Sequence, residues 1–164
     1  PPSPRLAPGG FYGLSGGFAV GRSARAGGGR SRCPPVIRGF AWMQGEADAK
    51  HERSATDYAT SLRRLRDRLA ADLGVESLPF VFGQVLPHKP AVARFTHRHE
   101  IRAAMAAADE RSGRPEALPR ARMVSTDGFG LLPDTVHYDA GGQVALGRAF
   151  AAALLAIGES PEHR

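Results

Sequence analysis

Five residues in two separated places have the types that acyl transfer needs: Gln44, Gly45 and Glu46 in one, Asp134 and His137 in the other. An amide side chain, and a backbone N–H that glycine leaves uncovered, can together stabilise an oxyanion, so Gln44 and Gly45 suit the charge that develops on an ester carbonyl. Asp134 and His137 lie three residues apart, a spacing that brings a carboxylate to imidazole Nδ1 and leaves Nε2 free. Such a pairing fixes the tautomer and stabilises the imidazolium formed when histidine takes a proton from a nucleophile. Each half also has a reading without chemistry. Asp134 to His137 can be a surface turn before a capped helix, and Glu46 with Asp48 can be first-turn acids favoured by a helix dipole.

The elements around these residues decide whether they can meet. Val36 to Met43 is an apolar run that breaks abruptly into Gln44-Gly45-Glu46, as a buried strand does when it delivers polar groups to the carboxyl edge of an open α/β sheet. The strand is expected at about 36–42. From Asp57 to Leu73, apolar side chains at Tyr58, Leu62, Leu65, Leu69 and Leu73 follow three- and four-residue steps, which predicts an amphipathic helix ended by Gly74. A buried strand follows over 78–86, stopped by Pro87. A second helix is expected over about 96–111, its buried stripe Ile101, Met105 and Ala108. A third strand over 122–126 precedes a last helix over about 140–156 with Asp139 as N-cap. The order β-α-β-α-β-loop-α predicts right-handed crossovers and a parallel sheet covered on both faces. In such a sheet the loops after Met43 and Thr126 open onto one edge, so distance in sequence does not keep the two halves apart. Three strands make a narrow sheet, and one or two more are expected on the amino-terminal side.

Length and composition bound the rest. A chain of 164 residues accommodates one domain with a real core. Residues 1–38 hold nine Gly, six Pro and six Arg with no acid, while 39–164 carry 16 basic and 16 acidic residues, so the whole net charge of +6 sits in the first segment. Residues 1–35 therefore read as a disordered or non-native leader, with a composition like that of GC-rich DNA translated out of frame. The folded part is neutral. A nucleic-acid reading attaches only to the leader, which lacks interleaved Lys, a motif or a periodic basic helix face, and nucleic acid is not the expected partner. Cys33 alone excludes an intramolecular disulfide, and no Cys/His cluster has zinc spacing. His88, His97 and His99 flank a proline and a helix start and read as solvated, so neither metal nor cofactor is expected. No run approaches the ~20 apolar residues of a membrane span, and no membrane partner is expected. Compartment and oligomeric state stay open.

Taken together and in this order, the two motifs bring a resemblance. Gly39 to Asp48 resembles the Trp-x-Gln-Gly-Glu-x-Asp signature of the sialate O-acetylesterase and acetyl xylan esterase group of the SGNH hydrolase superfamily. Asp134-Thr135-Val136-His137-Tyr138, with Gly142-Gln143 and Gly147, is similar to that group's terminal Asp-x-x-His block. The likeness covers about 36–157, roughly three quarters of the chain, with 158–164 as a tail. It implies a three-layer α/β/α sandwich of flavodoxin-like, SGNH type and a metal-independent serine esterase acting on acetylated carbohydrates. His137 would be the general base, Asp134 its orienting partner, Gln44 and Gly45 part of the oxyanion site, and Glu46 a positioning group in the same pocket.

One part of the family pattern is missing. The nucleophile belongs to a Gly-Gln-Ser-Asn type motif after the first strand, and no such motif occurs here, which makes the domain look truncated at its amino terminus. Gly13-Leu14-Ser15-Gly16-Gly17 matches the Gly-x-Ser-x-Gly elbow and places Ser15 in the right order, but without the apolar strand an elbow needs before it. Ser125 stands at a strand end the family does not use for attack. A silent relative that keeps the cleft without the nucleophile is the competing expectation, and nucleic-acid contact through the leader a further one.

Overall fold

The computed structural model describes residues 36–88 and 93–158, and the leader, Ser15 and the tail from 159 lie outside the described residues. Three short apolar segments form the sheet: β1 (Phe40–Trp42), β2 (Phe80–Gly83) and β3 (Ala121–Val124). Its order is β1-β2-β3 and both pairings are parallel, with Trp42 beside Phe82 and Phe82 beside Met123. Every residue of the central strand β2 is buried, as expected of a strand covered on both faces.

The two-residue period of a strand sorts its side chains between two cores. Phe40, Trp42, Phe80, Phe82, Ala121 and Met123 pack into one, together with Tyr58 and Leu62 of α2 (Tyr58–Leu73) and Ile101, Met105 and Ala108 of α3 (Arg98–Ala108). Ala41 and Val81 point the other way, onto Phe150, Ala153, Leu154 and Ile157 of α4 (Ala140–Gly158). Helices therefore cover both faces, an arrangement compatible with an α/β/α sandwich. A short α1 (Glu52–Thr56) and 3-10 turns at Asp48–Lys50 and Glu110–Ser112 complete the described elements.

The element order agrees with the sequence expectation, and so does the Ile101, Met105 and Ala108 stripe. Boundaries differ for local reasons. Pairing of β1 begins only at Phe40, whose N–H donates to Pro79 O at 2.8 Å. Beyond Gly83 the carbonyls of Val85 and Leu86 accept from the Arg102 guanidinium, at 2.9 and 3.2 Å, instead of continuing the ladder. α3 starts at Arg98 and ends at Ala108, where Asp109 turns extended. The stripe on α2 holds for Tyr58 and Leu62 but fades, and Leu73 is 43% exposed. A 16-residue helix runs about 24 Å, well past strands of three or four residues at roughly 13 Å.

The last helix also corrects an expectation. α4 spans 19 residues and is long and apolar enough to cross a membrane by length and composition, although no such run stood out in the sequence, where Gly and Arg148 interrupt it. In the fold it lies along the sheet, with Leu154 and Ile157 inward and Val144 and Leu155 outward.

Candidate active site

The loops that follow β1 and β3 at the carboxyl edge of the sheet carry all five residues singled out from the sequence. The last loop is shaped by its own backbone. Asp139 N–H donates to Gly130 O at 3.1 Å, Leu132 N–H to His137 O at 2.8 Å and Thr135 N–H to Leu132 O at 2.9 Å. These bonds close residues 130–139 into a tight turn. Thr135 sits at φ +60°, a left-handed conformation that a β-branched residue rarely adopts, which is the strain needed to fold the chain back between Asp134 and His137.

Within that turn Asp134 Oδ1 accepts the backbone N–H groups of Val136 and His137, each at 2.9 Å, and Oδ2 lies 2.6 Å from His137 Nδ1. The histidine and these amides hold the Asp134 carboxyl well below the usual range, which favours its ionised form. The imidazole is largely exposed, its Nε2 directed away from the carboxylate that holds Nδ1. Asp139 caps α4, its carboxylate accepting the Gly142 N–H at 2.7 Å. That cap fixes where the turn ends.

On the first loop, Gly45 has φ +149°, and a side chain there would press on Met105 and Val85. Glycine is required by the protein's own core at this point, in addition to whatever approach it allows a ligand. The half-buried Glu46 is pushed up by burial and, less, by Asp48, while the N–H groups of Glu46 and Gly45 and the charge on His137 draw it down. Glu46 and His137 thus interact electrostatically although 91 positions apart in sequence. Tyr138, pushed up by its own burial, also feels Glu46 and Arg102. Both halves of the constellation lie on loops that follow parallel strands, at the same end of the sheet.

Several residues that hold this edge did not stand out in the sequence. Thr126 Oγ1 donates to Gln84 O at 2.5 Å, tying the loops after β3 and β2 together. Arg102 reaches Val85 and Leu86 on one loop and both oxygens of Asp127 on another, at 2.9 and 3.0 Å. Tyr58 donates to Gln44 O at 2.6 Å. It reads in sequence as one more member of an apolar stripe, and the available signal was that it alone in that stripe carries a hydroxyl that must find a partner when buried.

Ser125 donates to Asp127 at 3.2 Å. Among the described residues no hydroxyl is hydrogen-bonded to the His137 imidazole, and no group of three or more His, Cys, Asp or Glu is placed to hold a metal ion.

The family model "Carbohydrate esterase, sialic acid-specific acetylesterase" matches residues 19–156. The chain belongs to this family. The match to the sialic acid-specific acetylesterases takes in every element described above except the end of α4, and it begins within the segment read as a leader. Among solved structures, the chain is similar to a protein from Arabidopsis thaliana determined by X-ray diffraction at 1.6 Å, with 26% identity over 74% of this chain and a TM-score of 0.61. It spans 45% of the length of that plant protein. None of the curated proteins is significantly similar.

Proposed function

We propose that the chain is the hydrolytic domain of a carbohydrate O-acetylesterase of SGNH type, acting on acetyl esters of sugars through a serine nucleophile. The observation that carries the reading is the 2.6 Å contact between His137 Nδ1 and Asp134 Oδ2, on the same sheet edge as Gln44-Gly45-Glu46. In this reading residues 36–157 form the esterase domain, its α/β/α layers those of the SGNH fold, with 1–35 and 158–164 flanking it.

His137 Nε2 takes the proton from the serine hydroxyl as its oxygen attacks the acetyl carbonyl, and Asp134 stabilises the imidazolium. The negative charge that forms on the carbonyl oxygen is met by the Gln44 amide and the Gly45 N–H, while Glu46 positions the loop. Collapse of the tetrahedral species expels the sugar oxygen, which takes the proton from His137. The acetyl group stays on serine until water, deprotonated by the same imidazole, releases acetate. Ser15 is the candidate nucleophile on the sequence order and lies outside the described residues. The step requires neither metal nor cofactor from the groups assigned.

A second reading has its own observation. The Gly-Gln-Ser-Asn type motif of the family is missing from the sequence, and a silent member would retain the cleft without its nucleophile. Labelling with a serine-directed fluorophosphonate, followed by intact mass and peptide mapping, separates the two. A His137-dependent adduct on one serine, lost in His137→Ala and slowed on the order of a thousandfold in Asp134→Asn, supports the esterase. A folded chain that takes no label, and hydrolyses no acetylated sugar, is the silent member.

A further inference from the structure

The amide that joins Gln44 to Gly45 is held from behind. Tyr58, the first residue of α2, is 4% exposed and its hydroxyl donates to Gln44 O at 2.6 Å. The Trp42 indole also acts on this phenol, but burial outweighs it and raises the phenol well above its ordinary range, so it stays a donor.

A peptide group is planar, and no cis bond occurs among the described residues, so the Gln44 C=O and the Gly45 N–H point in opposite directions. A carbonyl aimed at Tyr58 therefore sends the Gly45 N–H the opposite way, away from Tyr58. The Glu46 carboxylate feels that N–H together with its own, and it is the same carboxylate that feels His137. Donation to a carbonyl also polarises the amide and strengthens its N–H as a donor.

We infer that Tyr58 is a positioning residue that aims the Gly45 N–H at the reacting carbonyl. The role rests on the esterase reading, but the aiming itself does not. Both are read on the full chain by 15N NMR and steady-state hydrolysis of an acetylated sugar, in wild type and Tyr58→Phe. Trp42 is the chain's only tryptophan, so its indole N–H is a single resonance. In Tyr58→Phe that resonance and the Gly45 amide both shift and exchange faster, and kcat falls on the order of tenfold to a hundredfold with KM little changed. An unmoved Gly45 amide overturns the aiming. A moved amide with unchanged kcat overturns its importance to the reaction. If wild type hydrolyses nothing, the esterase reading fails, and the Gly45 and Trp42 resonances still decide the geometry. If Tyr58→Phe does not fold, wild type decides it: a slowly exchanging Tyr58 hydroxyl proton close to Gly45 is expected, and its absence overturns the inference.

Discussion

Glu46 sits between opposing influences, and their balance has a measurable sign. Burial and Asp48 raise it above the ordinary carboxylate value of 4.5, and this outweighs the two backbone N–H groups and His137 that lower it. A carboxyl whose folded value is raised weakens the fold when ionised. That penalty is present at neutral pH and is relieved as pH falls through the raised value toward the ordinary one. Glu46→Gln should therefore raise the thermal midpoint at neutral pH, with the gain over wild type shrinking on acidification. Midpoints collected across the acid range check this, and a pH-independent difference would show that Glu46 is no more buried in effect than a surface acid. Asp134 differs because it is open to solvent and held low by His137 and two amides. These partners favour its charged form, which is the state an orienting partner for His137 needs.

At the scale of elements, Asp109 joins the end of α3 to β3. Its buried carboxylate accepts from the Arg111 backbone N–H, Nε and NH2 at 2.8, 2.9 and 2.7 Å and from the Met123 N–H at 2.9 Å. Burial raises its pKa, but these donors outweigh it and leave the carboxyl below its ordinary 3.8. Stability from such a group is complete above the ordinary value and is lost as pH falls through the lower folded one. Asp109→Ala strands the Met123 N–H beside the sheet and should cost about 2–4 kcal/mol. Denaturant unfolding at neutral pH measures that loss, and the gap to wild type should close in strong acid. The clasp matters to the site because β3 leads directly into Thr126, Asp127 and the turn that carries Asp134 and His137.

For the whole molecule, the two cores differ in how well they are enclosed. The α2 and α3 side contains most of the large buried side chains, whereas α4 covers Ala41 and Val81 with one face and leaves Leu155 68% exposed on the other. Ile157, at 2% exposure, is the inward anchor near the carboxyl end of α4. Ile157→Ala should destabilise by about 2–5 kcal/mol through lost burial and a residual cavity. Leu155→Glu, two positions away, should stay within about 0.5 kcal/mol of wild type. Unfolding midpoints of both variants test the orientation of the layer, and a larger loss for Leu155→Glu would mean that α4 is rotated on the sheet.

The sequence alone was enough to read the order of elements, because strand and helix periodicities differ and glycine and proline mark their ends. It was also enough to single out Gln44-Gly45-Glu46 and Asp134 with His137, since chemistry of this type uses few residue types and the two short motifs keep their internal spacing. The aromatic alternation of Phe40, Trp42, Phe80 and Phe82 carried no label saying which face each would take, and that awaited the parallel register. Tyr58, Arg102, Thr126 and Asp109 were not legible as determinants of the site. Their partners are backbone atoms 14 to 42 positions away, and a carbonyl or N–H has the same appearance in every sequence. Only the tertiary structure decides which backbone groups come within reach of which side chain, because that depends on where three strand ends stop along one edge.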